Sequence, residues 1–139
     1  MKDYSLDSNL QPNIIFVLVD DLGWSDVTWN NENVKSTPFM AEMVRNGSHL
    51  AAAYSTHRCS PTRAALLTGR YPWRYGLGSD PINGYSAVGL SQSETLLPQI
   101  LKQKSDKDWR PSYSTHLVGK WHLGNCNETF LPQNRYFAD

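Results

Sequence analysis

The apolar run IIFVLV at residues 14–19 constrains the fold of this chain more than any other feature. Most of its six residues are β-branched or aromatic, which predicts a strand buried on both faces, as in a parallel sheet. Asp20 and Asp21 follow directly. Open α/β sheets bind ligands at the carboxyl ends of their strands, so the two carboxylates are a candidate site for Ca²⁺ or Mg²⁺. The alternative is a solvated turn, where aspartate is common.

Three segments carry helix-start patterns. A Thr-Pro pair at residues 37–38 combines an N-cap residue with proline at the first helical position, and Gly47 offers a stop. A Ser-Pro pair at residues 60–61 repeats that start, and this second helix is predicted to end at Gly69. A third, short helix is predicted over residues 96–104, with a proline near its first turn.

The remaining segments complete an α/β pattern. Residues 71–92 are rich in Gly, Pro, Ser and Tyr and predict a loop. Residues 105–112, SDKDWRPS, predict a polar surface insertion before a second strand at residues 113–118. Strands alternating with helices predict an α/β domain. Two strands are few for a domain sheet, which averages about 5–6. We therefore expect an incomplete mixed or parallel sheet flanked by helices, the front part of a larger fold.

Composition excludes several classes of protein. The 139 residues include 13 basic and 13 acidic side chains, so no basic surface for nucleic acid is expected. No apolar run approaches the roughly 18 residues that span a membrane. Two cysteines do not make a disulfide scaffold. Residues 1–13 are polar and lack the apolar core of a signal peptide. A start after the signal, a truncated gene model and a cytosolic protein all remain open.

The segment CSPTR at residues 59–63 concentrates reactive groups. Cys59 precedes a predicted helix N-terminus, where free N–H groups and the helix dipole favour an anion, and Arg63 lies about one turn further on. A C-x5-R phosphatase loop is excluded because Ala65 occupies the arginine position. The alternatives are a buried structural cysteine and a surface arginine. For Arg70, just past the helix, a site role and a packing or salt-bridge role are both open.

A second cluster, GKWHLG, follows the second predicted strand. In a strand-like stretch, Lys120 and His122 point to the same side. A lysine can neutralise an anionic oxygen, and a histidine can donate a proton or hold an oxyanion. Histidines and cysteines near this cluster and near Cys59 have spacings too irregular for zinc. His49 and His116 are expected to be structural.

Four motifs in order resemble the type I sulfatases, and most closely an arylsulfatase B-like group. They are QPNIIFVLVDDLGWSDV, STPFMAEMVRNG, CSPTRAALLTGRYPWRYGL, and LLPQILK followed by YSTHLVGKWHLG. The resemblance runs over residues 12–134. It implies an α/β fold of the alkaline-phosphatase type followed by a smaller C-terminal domain. Residues 1–11 then form a polar N-terminal segment, and residues 12–139 part of the N-terminal catalytic domain.

The resemblance also implies a nucleophile and a metal. Cys59 would be oxidised to formylglycine by a formylglycine-generating enzyme, and one Ca²⁺ would bind Asp20, Asp21 and the modified Cys59. The hydrated aldehyde would attack the sulfur of a sulfate ester and later expel sulfate. The family's other metal ligands lie further downstream. Because calcium takes about 6–8 oxygen ligands, we expect this chain alone to bind Ca²⁺ weakly and to turn over substrate inefficiently.

Three cations complete the implied site. Arg63 would stabilise the hydrate, and Lys120 and His122 would hold the sulfate and the hydrate. A lysosomal or secreted enzyme acting on a sulfated sugar or an aryl sulfate is expected, with two N-glycosylation patterns at Asn46 and Asn127. The rival hypotheses are an inactive truncated isoform or pseudoenzyme that acts by binding, and a phosphoester hydrolase of the same superfamily. One departure is Arg-Tyr-Phe at residues 135–137, where the family usually has Arg-Gly-Phe.

Overall fold

The computed structural model describes residues 11–78, 80–103 and 112–138. The chain divides into two compact units, Met1–Tyr54 and Ser55–Asp139, called here the first and the second unit. Helices α1, α2 and α3 span Pro38–Asn46, Cys59–Thr68 and Leu97–Lys102. Short 3-10 helices span Trp24–Asp26, Pro72–Tyr75, Glu128–Phe130 and Pro132–Arg135. No helix within these described ranges is long and apolar enough to cross a membrane.

The apolar run at residues 14–19 differs from its expected buried strand. It has no strand assignment in the structure, and its side chains are exposed, Ile15 by 89% and Val17 by 76%. A parallel strand requires neighbours that bond both of its edges and helices that cover both faces. The described residues supply no such ladder for this segment. The predicted sheet is therefore not formed within the described part of the chain.

Helix α1 confirms the boundaries expected from its sequence. Thr37 is the N-cap, proline occupies the first turn, and the Gly47 N–H closes the helix on the carbonyl of Met43 at 2.8 Å. The Thr37 hydroxyl does not cap the helix; it accepts a hydrogen bond from the Thr28 N–H at 3.0 Å. The predicted apolar stripe is mostly uncovered: the buried residue of α1 is Ala41, while Met43 is exposed.

The second unit contains a small apolar core. Four of its residues are completely buried: Ala64, Leu90, Leu96 and Leu123. Partly buried side chains pack around them: Leu67, Tyr75, Leu77 and Trp121. Complete burial of one leucine side chain contributes about 1.5–3 kcal/mol. The core therefore joins α2, the start of α3 and the GKWHLG segment.

Two glycines allow the backbone to pass closely through this core. The Leu90 N–H donates to the Leu123 carbonyl at 2.8 Å. A Cβ atom on Gly89 would lie 2.5 Å from the Phe130 ring, and one on Gly124 would lie 2.7 Å from the Cα of Gly89. Gly124 also has φ 122°, which side chains rarely adopt. Glycine is therefore required at both crossing positions.

Arg135 holds the C-terminal part of the second unit to the core. Its side chain is buried and donates to the carbonyls of Leu90 at 2.9 Å, Ser91 at 3.2 Å and Glu94 at 3.2 Å. Burial lowers the pKa of this guanidinium, although the Glu94 carboxylate opposes the effect. Three carbonyl partners compensate for removing the charge from water.

The second predicted strand is also reduced in the structure. Residues 113–118 contain one isolated parallel bridge, between His116 and Ala138, with the Ala138 N–H donating to the Thr115 carbonyl at 2.7 Å. Next to it, Tyr136 adopts φ 71° at the position where the family resemblance leads us to expect glycine. The backbone is left-handed at this position although the residue is not glycine.

The other loop and helix predictions fare better. The predicted loop at residues 71–92 contains the 3-10 helix Pro72–Tyr75 and is otherwise irregular where described. The predicted third helix is confirmed as α3, with Leu96 as its N-cap and proline in the first turn. The proposed insertion at residues 105–112 lies, apart from its last residue, outside the described residues.

Candidate active site

Helix α2 begins two residues earlier than its sequence predicts, at Cys59 rather than at Pro61. Arg58 is the N-cap and Cys59 is the first helical residue, so Ser60 does not cap the helix. The thiol of Cys59 is free and partly exposed. Gly69 ends the helix with φ 66°, and its N–H donates to the Ala65 carbonyl at 2.8 Å. Because Cys59 lies in the first turn, it is surrounded by backbone N–H groups that have no partner within the helix.

The loop before α2 is fastened to the first helical turn. The Thr62 hydroxyl donates to the Thr56 carbonyl at 2.8 Å, and the two threonine hydroxyls lie 2.6 Å apart. The Thr62 N–H donates to the Arg58 carbonyl at 3.1 Å. These local bonds fix the direction in which the chain enters the helix at Cys59.

A buried hydroxyl lies immediately after Cys59. Ser60 is completely buried, and its Oγ accepts a hydrogen bond from the Ile82 N–H at 2.9 Å. The carbonyl of the same Ile82 accepts a hydrogen bond from Nε2 of His122 at 2.9 Å. The structure thus connects the start of α2 to His122 through one residue of the 71–92 loop.

Arg63 makes a second connection between the two motifs. Its guanidinium donates to the backbone carbonyl of Lys120, while the Lys120 residue is exposed. The four predicted catalytic residues, Cys59, Arg63, Lys120 and His122, therefore belong to two segments that are hydrogen-bonded to each other. The second unit brings these segments together from positions 57 residues apart.

The GKWHLG segment is not a strand, so strand geometry does not set the directions of its side chains. His122 has φ 60° and Gly119 has φ 112°, so the alternation of side chains along a strand does not apply to Lys120 and His122. Packing fixes the segment instead. The Trp121 indole donates to the Phe130 carbonyl at 2.8 Å, and Leu123 is completely buried. A histidine in the left-handed region is uncommon and is found at functional sites.

The two predicted metal ligands lie in the first unit. Asp20 and Asp21 are exposed, and each offers a carboxylate oxygen within 4.8 Å of the other's. Asp21 has φ 56°, which bends the chain directly after the apolar run. Two carboxylates this close repel each other, and a cation between them relieves that repulsion. Hard oxygen donors of this kind suit Ca²⁺.

Arg70 has a structural role in the second unit. Its guanidinium bonds both carboxylate oxygens of buried Glu94 at 2.6 Å and lies 5.9 Å from the centre of the Tyr75 ring. Burial is the main reason that the pKa of Tyr75 is raised. Of the two roles left open for Arg70, the structure assigns the salt bridge.

The other histidines and the second cysteine have local surroundings. His49 meets Trp29 edge to face at 6.4 Å, and His116 Nε2 lies 3.0 Å from the Ser114 hydroxyl. Cys126 is exposed. Asn127 is exposed too, and its side chain accepts from the Thr129 N–H at 2.9 Å.

Sequence reasoning missed Ser60 and Arg135 as organising residues. The sequence predicts that Ser60 caps the helix, since Ser before Pro is typical of a cap. Arg135 was noted only beside an unusual tyrosine. The partners of both lie far away in sequence, Ile82 at 22 residues from Ser60 and Leu90 at 45 from Arg135. No local pattern identifies such partners.

Comparisons with known proteins identify the family of this chain. The sequence profile of the family described as Sulfatase matches residues 12–139. Mouse N-acetylgalactosamine-6-sulfatase is 39% identical over 122 residues, which cover 82% of this chain and 22% of that protein. Human arylsulfatase D is 39% identical over 128 residues, covering 84% and 20%. Mouse arylsulfatase J is 35% identical over 127 residues, covering 91% and 20%.

A solved structure gives the same result for the fold. The crystal structure of Ps i-CgsB matches with a TM-score of 0.76 and 32% identity, over 92% of this chain and 27% of the other. The chain spans about a fifth of the length of the curated relatives described above. The resemblance drawn from the four sequence motifs is confirmed.

Proposed function

Because the chain belongs to the sulfatase family, we propose that the protein hydrolyses sulfate esters and that residues 12–139 form part of its catalytic domain. One observation carries this proposal. Cys59 opens helix α2, and Arg63 of the same helix bonds the carbonyl of Lys120. The chain covers about a fifth of its relatives, so the proposed activity is that of a protein with their remaining segments.

Cys59 is the proposed source of the nucleophile. Its CSPTR context is complete, and its partly exposed thiol on the first turn of α2 supports access by a formylglycine-generating enzyme. Once formed, formylglycine supplies a hydroxyl nucleophile for the sulfur atom. The free N–H groups of the helix start favour negative charge beside it.

Asp20 and Asp21 are the proposed ligands of one Ca²⁺, together with the residue made from Cys59. The two adjacent carboxylates fit a hard divalent cation and supply only part of its usual 6–8 oxygen ligands. When bound, the ion draws charge away from the sulfuryl oxygens. Further ligands are expected from segments that correspond to the rest of the relatives.

Arg63, Lys120 and His122 are proposed to act on the anionic groups of the reaction. Arg63 is anchored by the Lys120 carbonyl, which holds a permanent cation on the face of α2 that carries Cys59 one turn earlier. The exposed Lys120 is suited to a sulfate oxygen. His122 is held by the Ile82 carbonyl and is proposed to contact the hydrate, with which an imidazole can exchange a proton.

A sulfated sugar is the proposed substrate, with an aryl sulfate as the assay substrate. The names of the mouse, rat and human N-acetylgalactosamine-6-sulfatases point to sulfated amino sugars in those relatives. A lysosomal or secreted location is proposed from the family, in keeping with the need for formylglycine formation.

A chimera tests the function. This chain replaces the matching part of mouse N-acetylgalactosamine-6-sulfatase, and the purified protein is assayed against an aryl sulfate and an aryl phosphate. We expect turnover of the sulfate, and a loss of roughly 10³-fold or more for Cys59→Ala. Cys126→Ala is the matched control and should retain activity, because Cys126 is an exposed thiol outside the CSPTR segment.

Each other result selects a rival hypothesis. Preference for the phosphate supports a phosphoester hydrolase. No turnover of either ester, with Cys59 shown to be unmodified by peptide mass spectrometry, supports an inactive isoform or pseudoenzyme that acts by binding.

A further inference from the structure

Two hydrogen bonds on opposite sides of one residue connect Ser60 to His122. The Ile82 N–H donates to the Ser60 hydroxyl at 2.9 Å, and the Ile82 carbonyl lies 2.9 Å from Nε2 of His122. Ser60 is 0% and Ile82 6% exposed. Water therefore does not compete for the first bond, and the position of Ile82 depends on the Ser60 hydroxyl.

The bond to Ile82 determines which nitrogen of His122 carries the proton. A backbone carbonyl can only accept, so Nε2 must be the donor. In neutral imidazole the other nitrogen, Nδ1, is then an acceptor. Nδ1 of His122 is buried and has no hydrogen-bond partner among the described residues. A buried polar atom without a partner requires an explanation, and a catalytic role is one of the few.

We propose that Ser60 is a positioning residue that fixes His122 as the Nε2–H tautomer. Nδ1 is then the nitrogen that can accept a proton or a hydrogen bond in the active site. Ser60 holds Ile82, and Ile82 holds the imidazole. The catalytic use of Nδ1 rests on the proposed function. The tautomer itself does not depend on which ester is cleaved.

The local backbone supports a positioning role. His122 is held in the left-handed region at φ 60°, a conformation that persists only where surrounding contacts determine it. The Ser60 hydroxyl is used for Ile82 rather than for capping α2, which has no side-chain cap. The residue directly after Cys59 thus sets the ring orientation of the histidine in the other motif.

Nuclear magnetic resonance of the ¹⁵N-labelled 139-residue chain measures the tautomer directly. The chain has four histidines, and His122→Gln assigns the signals of His122 by their loss. In mildly alkaline buffer, we expect the nitrogen shifts of a protonated Nε2 and an unprotonated Nδ1 for His122. A proton on Nδ1, or two averaged nitrogen shifts, overturns the proposal.

Ser60→Ala tests the role of the hydroxyl. It should move both His122 nitrogen shifts toward the tautomeric average and speed hydrogen exchange of the Ile82 amide by roughly two- to tenfold, as expected for losing one hydrogen bond. Ser114→Ala is the matched control, because the exposed Ser114 hydroxyl contacts His116. It should change the His116 signals alone. Unchanged His122 shifts in folded Ser60→Ala would overturn the positioning role.

The result is separable from the fate of the proposed function. If the chimera is inactive but His122 is the Nε2–H tautomer and responds to Ser60→Ala, the positioning role stands and the sulfatase activity fails. If the chimera is active but His122 has its proton on Nδ1, the activity stands and this inference fails.

Discussion

The two units use their apolar side chains in opposite ways. In the first unit the strongest apolar segment, residues 14–19, is exposed and has no strand partner among the described residues. In the second unit Leu90, Leu96 and Leu123 are completely buried around helix α2. An α-helix satisfies its own backbone groups, whereas a strand needs a neighbour to do so. The second unit can therefore build a core around helix α2, whereas the apolar run of the first unit lacks strand partners among the described residues.

The same difference separates the two parts of the proposed chemistry. The residues proposed to bind the anionic groups belong to the second unit, where hydrogen bonds from Arg63 and His122 hold their segments in place. The proposed calcium ligands, Asp20 and Asp21, follow the uncovered apolar run of the first unit. We expect the second unit to be the more rigid of the two, because its contacts are buried.

Removing one apolar side chain from each unit gives the largest contrast. Leu123→Ala should lower the free energy of unfolding by about 2–5 kcal/mol, because Leu123 is 0% exposed and its loss leaves a cavity. Val17→Ala, at a side chain that is 76% exposed, should change it by less than about 0.5 kcal/mol. Urea unfolding followed by tryptophan fluorescence measures both. Equal costs would show that residues 14–19 are buried in solution.

The sequence predicted helices well and long-range contacts poorly. Proline in the first turn and a glycine after the last turn placed α1 within one residue, and α2 within two residues, of the observed bounds, since both signals act locally. Whether residues 14–19 form a strand could not be decided from those residues alone, because a strand exists only with its partners. The roles of Ser60 and Arg135 depend on carbonyl and amide groups far away in the chain.

The tight crossing in the second unit gives the next largest effect. Gly124→Ala places a Cβ atom 2.7 Å from Gly89 at φ 122°, so the backbone must shift. We expect a loss of about 1–3 kcal/mol in the free energy of unfolding. Gly84→Ala is the control, since no atom lies within 4 Å of its added Cβ; it should be neutral or slightly stabilising. A neutral Gly124→Ala in the same urea experiment would mean that the crossing is looser than the structure shows.

Tyr136 offers a smaller change of opposite sign. Its φ of 71° is unfavourable for a residue with a Cβ atom. Tyr136→Gly should stabilise the second unit by about 0.5–1 kcal/mol, the relief of strain being partly offset by the greater freedom of glycine when unfolded. The Thr115 hydroxyl bond to the Tyr136 carbonyl remains in the variant. A rise in the thermal midpoint is the expected observation, and a fall would show that the exposed ring packs more favourably than the backbone strain costs.

The pH dependence of the second unit is the finest test of its packing. Burial raises the pKa of Tyr75, and the Glu94 carboxylate adds to that effect. The Thr68 hydroxyl and Arg70 lower the pKa by less. Because the folded pKa lies above the usual value of about 10, the stabilisation is fully present below pH 10 and is lost as pH rises through the folded pKa.

Unfolding free energies at pH 8–11 should therefore fall more steeply for the native chain than for Tyr75→Phe, which has no phenol to ionise. Tyr85→Phe, at an exposed ring, serves as the control and should keep the native slope. Identical slopes for the native chain and Tyr75→Phe would mean that water reaches Tyr75 as freely as it reaches the apolar run of the first unit. The contrast between the two units would then be smaller than the buried core implies.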